Sequence, residues 1–572
     1  MPVPAHAISR TRSYGLLLAI LVLAFFTRMF AALDYGQDWY ASDSFTLINF
    51  DEAGSCRAAL KGFDYSPWVG WQTLALADAA GHSVPTGISG DARAAKAFCH
   101  SQAHIVIARL YSATTGALTV AALWLLAALL FPDKPSLAPI ASTLLALSGW
   151  HISESLMGTV DSASTFFNYL FMGVLVWSAR DGGWRWVLAA LLLVPAIWTK
   201  YWVFALASVL VVLPSTFCHS LFGGISRRRA ALLLFAYAAL FGLVSNSELS
   251  LPATMVLPFS FYLLIPWSRL SSSGKIFMLL MPWLAPLLMQ VELFVAFTSG
   301  GLEGRFGAGY GAIAWHKWLR NPLNIPVVLV MGLGLPAFVL ALEGVRRLWT
   351  KSCFDRAWLA LLPILTFALY MFFLAPVTYY RHYLPLLPAA CLLAALGASY
   401  VRMPLRHAVV AVMLCWQGVL AVDLVTDYHF DPRRQLPQWY VEHQPSIVLA
   451  SYYVSPPSGS GARHSLFRPG YAVANSPRLQ QADAVILSEN WYDTAFANEL
   501  NGPLVNDPAL LIKTTPEAAH FYRQVVVDAH PTLVKRAHYR APTFMPELRL
   551  HYAAYGSFTQ FVGDIIIFEV NR

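Results

Sequence analysis

Charge is what this chain has least of. Asp, Glu, Lys and Arg together make up 12% of its 572 residues, where a water-soluble domain carries roughly 25%. With 57% hydrophobic residues and a mean hydropathy of +0.53, that scarcity excludes an ordinary water-soluble globule. Cysteine is also sparse. There are six, none in a C-x-x-C pair, which excludes a zinc ribbon or a thioredoxin-like redox motif. No repeat of solenoid period is visible, and no inverted pair of halves of the kind that marks many transporters. The net charge of +8 does not point to nucleic acid, because the basic residues gather in short loops between apolar runs, as topology signals do.

What is present is a series of apolar runs long enough to cross a bilayer as helices. The expected spans are about 14–33, 104–131, 137–150, 160–178, 186–199, 202–220, 230–245, 252–267, 276–298, 324–345, 357–376, 383–400 and 407–425. The first run could pass for a signal peptide, but Arg28 interrupts it and many spans follow, so it reads as an uncleaved span with the N-terminus inside. Basic residues at Arg10 and Arg12, Arg227 to Arg229, Arg346, Arg347, Lys351, Arg356, Arg402 and Arg406 then fall on one side. The short loops of the other side carry only Lys200, Arg305, Lys317, Arg320 and Arg381, an asymmetry that orients the chain. Outside lie a first loop over 34–103, a short turn over 151–159, a Gly-rich loop over 299–322 and a polar tail. In the tail, Ser446 to Ser451, Ala482 to Ser488 and Asp564 to Val570 read as buried strands, and Pro516 to Asp528 as a helix. The expected fold class is a polytopic α-helical membrane protein of about 13 spans with a C-terminal extracytoplasmic α/β domain. The boundary falls between 1–426 and 427–572. Cys56 and Cys99 share the first loop and could pair if that side is oxidising. The other cysteines read as small apolar filler.

In so charge-poor a chain, adjacent carboxylates need a reason. Asn49-Phe50-Asp51-Glu52-Ala53-Gly54 lies in the first loop, about twenty residues past the end of the first span. Asp51 and Glu52 suit the opening of a surface helix, and equally a general base that takes a proton from an attacking hydroxyl. Asp161 sits at the outer lip of a span, where an acid is a functional candidate by default. It would also serve as a helix cap. His151 and Glu154 are expected on the same outer turn. Lys200 and Arg381 are outer cations that would either snorkel to headgroups or clamp a phosphate whose charge grows as it leaves. His316 is a weaker candidate beside them. No metal-ligand cluster is evident, although carboxylates at a phosphate are able to hold a divalent ion.

Five stretches together resemble the glycosyltransferase C superfamily, close to its protein O-mannosyltransferase-like and lipid A aminoarabinose-transferase-like membrane enzymes. They are Asp51-Glu52-Ala53; Ala108-Arg109-Leu110-Tyr111-Ser112-Ala113 with Gly116-Ala117-Leu118-Thr119-Val120; His151 through Asp161 to Phe166-Phe167; Thr199-Lys200; and Tyr380-Arg381-His382-Tyr383-Leu384-Pro385-Leu386-Leu387-Pro388. Their order and shared outer placement carry the resemblance over 30–400. Of the Lys-Pro pair common in the first loop of aminoarabinose-type enzymes only Pro67 remains, and no motif of the eukaryotic luminal repeat domain is present.

The resemblance implies a polyprenyl-phosphate-linked sugar as donor, an extracytoplasmic acceptor and inversion at the anomeric carbon. It implies Asp51 as general base, with Glu52 and Asp161 beside it and Lys200, Arg381, His316 and Tyr380 on the donor phosphate. It further implies a bacterial inner membrane, with the tail in the periplasm. Two alternatives stand beside it. One is a ligase or polymerase using a diphosphate-linked glycan. The other is a lipid-linked sugar transporter or flippase, which would show charges at mid-span.

Overall fold

The computed structural model describes residues 5–36, 50–61, 67–88, 91–181, 184–200, 315–350, 380–451, 460–467, 476–489, 516–549 and 563–571, with a few single positions between them. The runs expected as spans six to nine, most of the Gly-rich loop and most of span eleven lie outside the described residues. Among the described residues, four helices are long and apolar enough to cross a membrane: Ser13–Asp34, Gln102–Leu130, Asn324–Leu348 and Leu405–His443. Leu137–Ala146, Val187–Thr199 and Leu386–Ser399 are shorter apolar helices.

The first long helix, α1 (Ala5–Asp34), packs on α5 (Gln102–Leu130). Between them in sequence come a one-turn helix at Phe50–Ala53 and three short helices, α2 (Gly54–Lys61), α3 (Trp68–Ala79) and α4 (Ala92–Cys99). A disulfide joins Cys56 on α2 to Cys99 at the end of α4. Asp91 opens α4 by accepting from the Arg93 and Ala94 amides, and Ser101 opens α5 by accepting from the His104 amide. Both are N-caps that satisfy otherwise unpaired first-turn N–H groups. Cys391 is buried and Cys415 exposed.

The run expected as one span over 137–150 is broken. It forms α6 (Leu137–Ala146) and α7 (Gly149–Leu156). Residues 151–156 are therefore not part of an exposed outer turn. His151 and Glu154 lie on a helix whose every residue is buried. The break also accounts for the arginine in the first span. Arg28 is fully buried, and its guanidinium donates to the Leu145 and Ala146 carbonyls at 3.2 and 3.1 Å and meets His151 Nδ1 at 2.8 Å. It meets the helix-end carbonyls that the break leaves exposed within the bundle.

Next come α8 (Val160–Asp181), α9 (Arg185–Thr199), α10 (Trp315–Thr350), α11 (Leu386–Ser399) and α12 (Leu405–His429). Helix α10 begins at Trp315, so 315–322 is helical rather than loop. It kinks at Gly334, where φ is 70°. Pro336 has no N–H to give to the Gly332 carbonyl, four residues back. Ser148 Oγ and Gln417 Nε2 bond that carbonyl instead, each at 2.6 Å. The α10–α11 crossing is close because glycines face backbone. A Cβ on Gly397 would stand 2.0 Å from the Leu340 carbonyl oxygen, and one on Gly344 2.1 Å from that of Leu393. Small residues of this kind let membrane helices approach. Gly397→Ala is expected to cost about 1–3 kcal/mol through overpacking. A thermal melt in detergent checks it; an unchanged midpoint would contradict the crossing.

One end of the bundle gathers basic and aromatic groups. Lys134 donates to Ser399 and lies 3.8 Å from the centre of the Tyr400 ring, Arg347 sits over the same ring at 5.0 Å, and Arg406 donates to Ser136. Arg347 and Arg406 are residues that the charge asymmetry assigns to the inner side. The candidate site lies at the other end.

Beyond α12 come α13 (Leu436–His443), α14 (Pro477–Gln481) and α15 (Pro516–Val526), with strands β1 (Ile447–Ala450), β2 (Arg463–Leu466), β3 (Ala484–Ser488), β4 (Leu533–Tyr539) and β5 (Ile565–Val570). The strand order is β2-β1-β3-β5-β4. β1 pairs in parallel with β2 and β3, whereas β5 pairs antiparallel with β3 and β4. β1, β3 and β5 coincide with the three apolar runs read as strands. β2 and β4 escape such a reading because neither is a continuous apolar run: β2, Arg-His-Ser-Leu, is largely polar and exposed, and β4, Leu-Val-Lys-Arg-Ala-His-Tyr, is mixed in polarity and mostly half-buried. Their partners, not their apolarity, make them strands.

Candidate active site

The one-turn helix Phe50–Ala53 separates its two acids. Being adjacent on a tight turn, they reach different partners. Glu52 turns into the bundle and is fully buried, receiving Arg109 Nε at 2.7 Å and Nη2 at 3.0 Å. The Gly158 amide donates to the same carboxylate at 3.2 Å. Arg109 is completed by the Tyr35 carbonyl at 2.6 Å, and its guanidinium lies 5.6 Å from the Tyr35 ring centre. Gly158 is required at this point, since a Cβ there would lie 2.8 Å from Ala108 Cβ. Tyr35 continues outward, donating to Asp431 at 2.8 Å, and Asp431 is itself paired with Arg433. The first loop, α5, the end of α1 and the start of the tail are thus tied by one buried polar chain.

Asp51 takes the other direction. Arg381, from the one-turn helix Tyr380–Tyr383 that precedes α11, binds its Oδ2 at 2.5 Å. A second pair lies beside the first. Lys200 Nζ meets Asp161 Oδ1 at 2.6 Å. The Thr-Lys order has a plain geometric use here, because Thr199 donates to Ser164 at 3.1 Å while Lys200 reaches Asp161, one turn earlier on α8. Asp161 also feels the charges of Arg381 and His382, and Lys200 feels those of Arg381 and Asp51. Asp51, Asp161, Lys200 and Arg381 therefore form one electrostatic group of two acids and two cations, drawn from four separate parts of the chain.

Of the remaining candidates, His316 lies in the first turn of α10 and Tyr380 opens the turn that carries Arg381. His151 is not at the site; it belongs to the Arg28 cap. Residues not singled out from the sequence are Arg109, Tyr35 and His382. Arg109 carried a signal, being a charge inside a predicted span, which asks for a buried partner. His100, at the end of α4, is held below the ordinary imidazole range by burial, reinforced by Lys96 and Arg57 and opposed by Glu52, so it is neutral at neutral pH.

Among the described residues, no group of three or more His, Cys, Asp or Glu could hold a metal ion. The two acids of the group are each matched by a fixed cation. That donor set suits an anion brought to the cations better than a metal brought to the acids.

No family model and no curated protein matches the chain. Solved structures show distant likenesses. One is the oligosaccharyltransferase AglB of Archaeoglobus fulgidus in complex with an inhibitory peptide and a dolichol-phosphate, at 11% identity and TM-score 0.49 over 88% of this chain and 72% of that one. An oligosaccharyltransferase of Archaeoglobus fulgidus in complex with Zn and sulfate gives 12% identity and TM-score 0.43 over 84% and 69%. ArnT from Cupriavidus metallidurans bound to undecaprenyl phosphate gives 13% identity and TM-score 0.40 over 85% and 94%. At such identities and TM-scores these likenesses concern the course of the chain alone.

Proposed function

We propose that this chain is an integral-membrane inverting glycosyltransferase that moves a sugar from a polyprenyl-phosphate donor to an extracytoplasmic hydroxyl or phosphate. The observation that carries this reading is the four-residue group at one end of the bundle, Asp51–Arg381 beside Asp161–Lys200. The sequence resemblance supports it independently. The Cys56–Cys99 disulfide supports an oxidising, extracytoplasmic side for the first loop; a bacterial inner membrane with a periplasmic tail is what the sequence resemblance implies.

The chemistry needs three things at one place. A cationic clamp must hold the donor phosphate and absorb the charge that grows on it as the sugar leaves. A base must take the acceptor's proton as its oxygen attacks the anomeric carbon. The two must face each other across that carbon. Arg381 and Lys200 serve as the clamp and Asp51 as the base, with Asp161 orienting Lys200. In the transfer, the new bond forms between acceptor oxygen and anomeric carbon, and the bond from that carbon to the phosphate oxygen breaks. The proton goes to Asp51, and the lipid phosphate leaves with the electron pair. His316 and Tyr380 belong to the donor side of the same site.

The ion pairs add a requirement. Without donor, each cation is held by a carboxylate. A phosphate binding Arg381 and Lys200 competes with Asp51 and Asp161 for them, so donor binding frees the Asp51 carboxylate for the acceptor. Glu52 has a different role from the one its neighbour suggests. Its carboxylate is taken up by Arg109 and Gly158, so it positions the turn that carries Asp51.

Lys200→Ala and Arg381→Ala are expected each to weaken binding of a labelled polyprenyl-phosphate sugar roughly 10-fold or more, the worth of a charged hydrogen bond of about 1.5–3 kcal/mol. Unchanged donor affinity in both folded variants would sink the clamp. Transport of a lipid-linked sugar without transfer to any acceptor would favour the flippase reading instead.

A further inference from the structure

Helix α12 carries two acids, Asp423 and Asp427, one turn apart in an otherwise apolar stretch that qualifies as a membrane span. Both are buried, and neither takes part in the site. Their partners come from the tail, more than a hundred residues later. Thr543 Oγ1 donates to both oxygens of Asp427 at 2.9 Å. The Phe544 and Met545 amides donate to Asp423 at 3.1 and 2.7 Å. Further down the same helix, Trp416 Nε1 donates to Glu547 Oε1 at 2.8 Å.

These contacts have an order. As the segment runs from 543 to 547, its partners run from Asp427 through Asp423 to Trp416, a descent of about 16 Å along the helix axis at 1.5 Å per residue. Trp416 lies against the α10 kink, since a Cβ on Gly334 would stand 2.5 Å from its ring. Gly334 is about 15 Å inside the Asn324 end of that span. The segment therefore reaches close to mid-depth of two membrane helices.

The segment is irregular over 543–545 and then forms the one-turn helix Pro546–Arg549, and irregular backbone at that depth is tolerated only where protein satisfies its polar groups. Here Asp423 takes two amides, the Leu548 amide bonds the Met545 carbonyl, and Arg549 bonds the Thr543 carbonyl. The inward residues, Met545 and Leu548, pack with Leu420 and Leu424. The outward residues, Phe544 and Pro546, are exposed and apolar. They extend the exposed apolar stripe of α12 formed by Val412, Trp416, Val419 and Val422.

We propose that 543–549 is a re-entrant strap. It leaves the tail domain, descends along α12 within the membrane, is held there by Asp423 and Asp427, and presents Phe544 and Pro546 to lipid acyl chains. The partner is the bilayer interior. Nothing in this depends on the glycosyltransferase reading.

Site-directed spin labelling of the full chain in liposomes tests it. Cys218, Cys353, Cys391 and Cys415 are replaced by alanine and the disulfide is kept. Single nitroxides are placed at Phe544→Cys, at Val419→Cys on the lipid-facing side of α12, and at Val534→Cys on the tail sheet. Collision with oxygen, relative to a water-soluble nickel chelate, is expected to be several-fold higher at 544 than at 534 and to match 419. Pro546→Cys repeats the measurement at the other exposed position, should the first variant fail to fold. A water-like ratio at 544 or 546, whatever the value at 419, would overturn the strap. The readout is depth rather than activity, so failure of the strap and failure of the proposed function are separate results.

Discussion

Asp51→Asn is expected to slow sugar transfer by about 10²–10⁴-fold, the usual contribution of a positioned general base, and at the same time to tighten donor binding. The first effect follows from removing the proton acceptor while keeping shape. The second follows from the pair with Arg381 at 2.5 Å. A neutral amide competes with the donor phosphate for Arg381 far less well than a carboxylate does. A variant that loses rate and gains donor affinity would separate this arrangement from one in which Asp51 merely holds Arg381 in place, where both rate and affinity would fall. Single-turnover transfer and equilibrium binding of the same labelled donor measure the two. Retained transfer would move the base elsewhere, with Asp161 the next acid to test.

The second large effect is on stability. Glu52 and Arg109 are both fully buried and bonded through two N–H groups. Removing one partner strands the other charge in a low-dielectric interior, which costs about 3–5 kcal/mol. Arg109→Met and Glu52→Gln are each expected to lower the thermal midpoint sharply. The double variant should be much less affected than the sum of the two, because no uncompensated charge remains. Melts of the three variants check this; additive losses would mean that the pair is not coupled. Transfer by the folded double variant adds a second readout. If Glu52 acts by holding the turn that carries Asp51, the rate constant falls while donor affinity stays.

These two cases mark how much of the site was legible in sequence. Asp51, Asp161, Lys200 and Arg381 stand out because charge is rare; Asp51 is one of two adjacent acids in the first loop, and the other three fall at the ends of apolar runs. The structure brings all four together. Their pairing was not legible. Glu52 looks equivalent to Asp51 in sequence, yet one bonds the interior and the other the cation group, because successive residues of a tight turn diverge. In sequence Arg28 only interrupts the first apolar run, and His151 is only a polar group expected on an outer turn. They are the repair of a helix break that apolar content alone does not reveal, since the run over 137–150 stays largely apolar on both sides of it. The kink of α10 was half legible, as Pro336 announces a lost hydrogen bond but not which side chains replace it.

What the sequence by itself determined are the local and compositional features: apolar runs of span length, basic residues gathered in one set of loops, and the apolar strands β1, β3 and β5. Each follows from a propensity or a transfer free energy that acts over a few residues. What only the tertiary structure decided are the partners. Arg381 meets Asp51 across 330 residues, Arg109 meets Glu52 across 57, and the 543–549 segment meets Asp423 and Asp427 across more than 110. A charge removed from water must be compensated, and its scarcity makes it visible in a sequence. The compensating group is chosen by distance in the packed structure, which a charge's position along the chain does not encode.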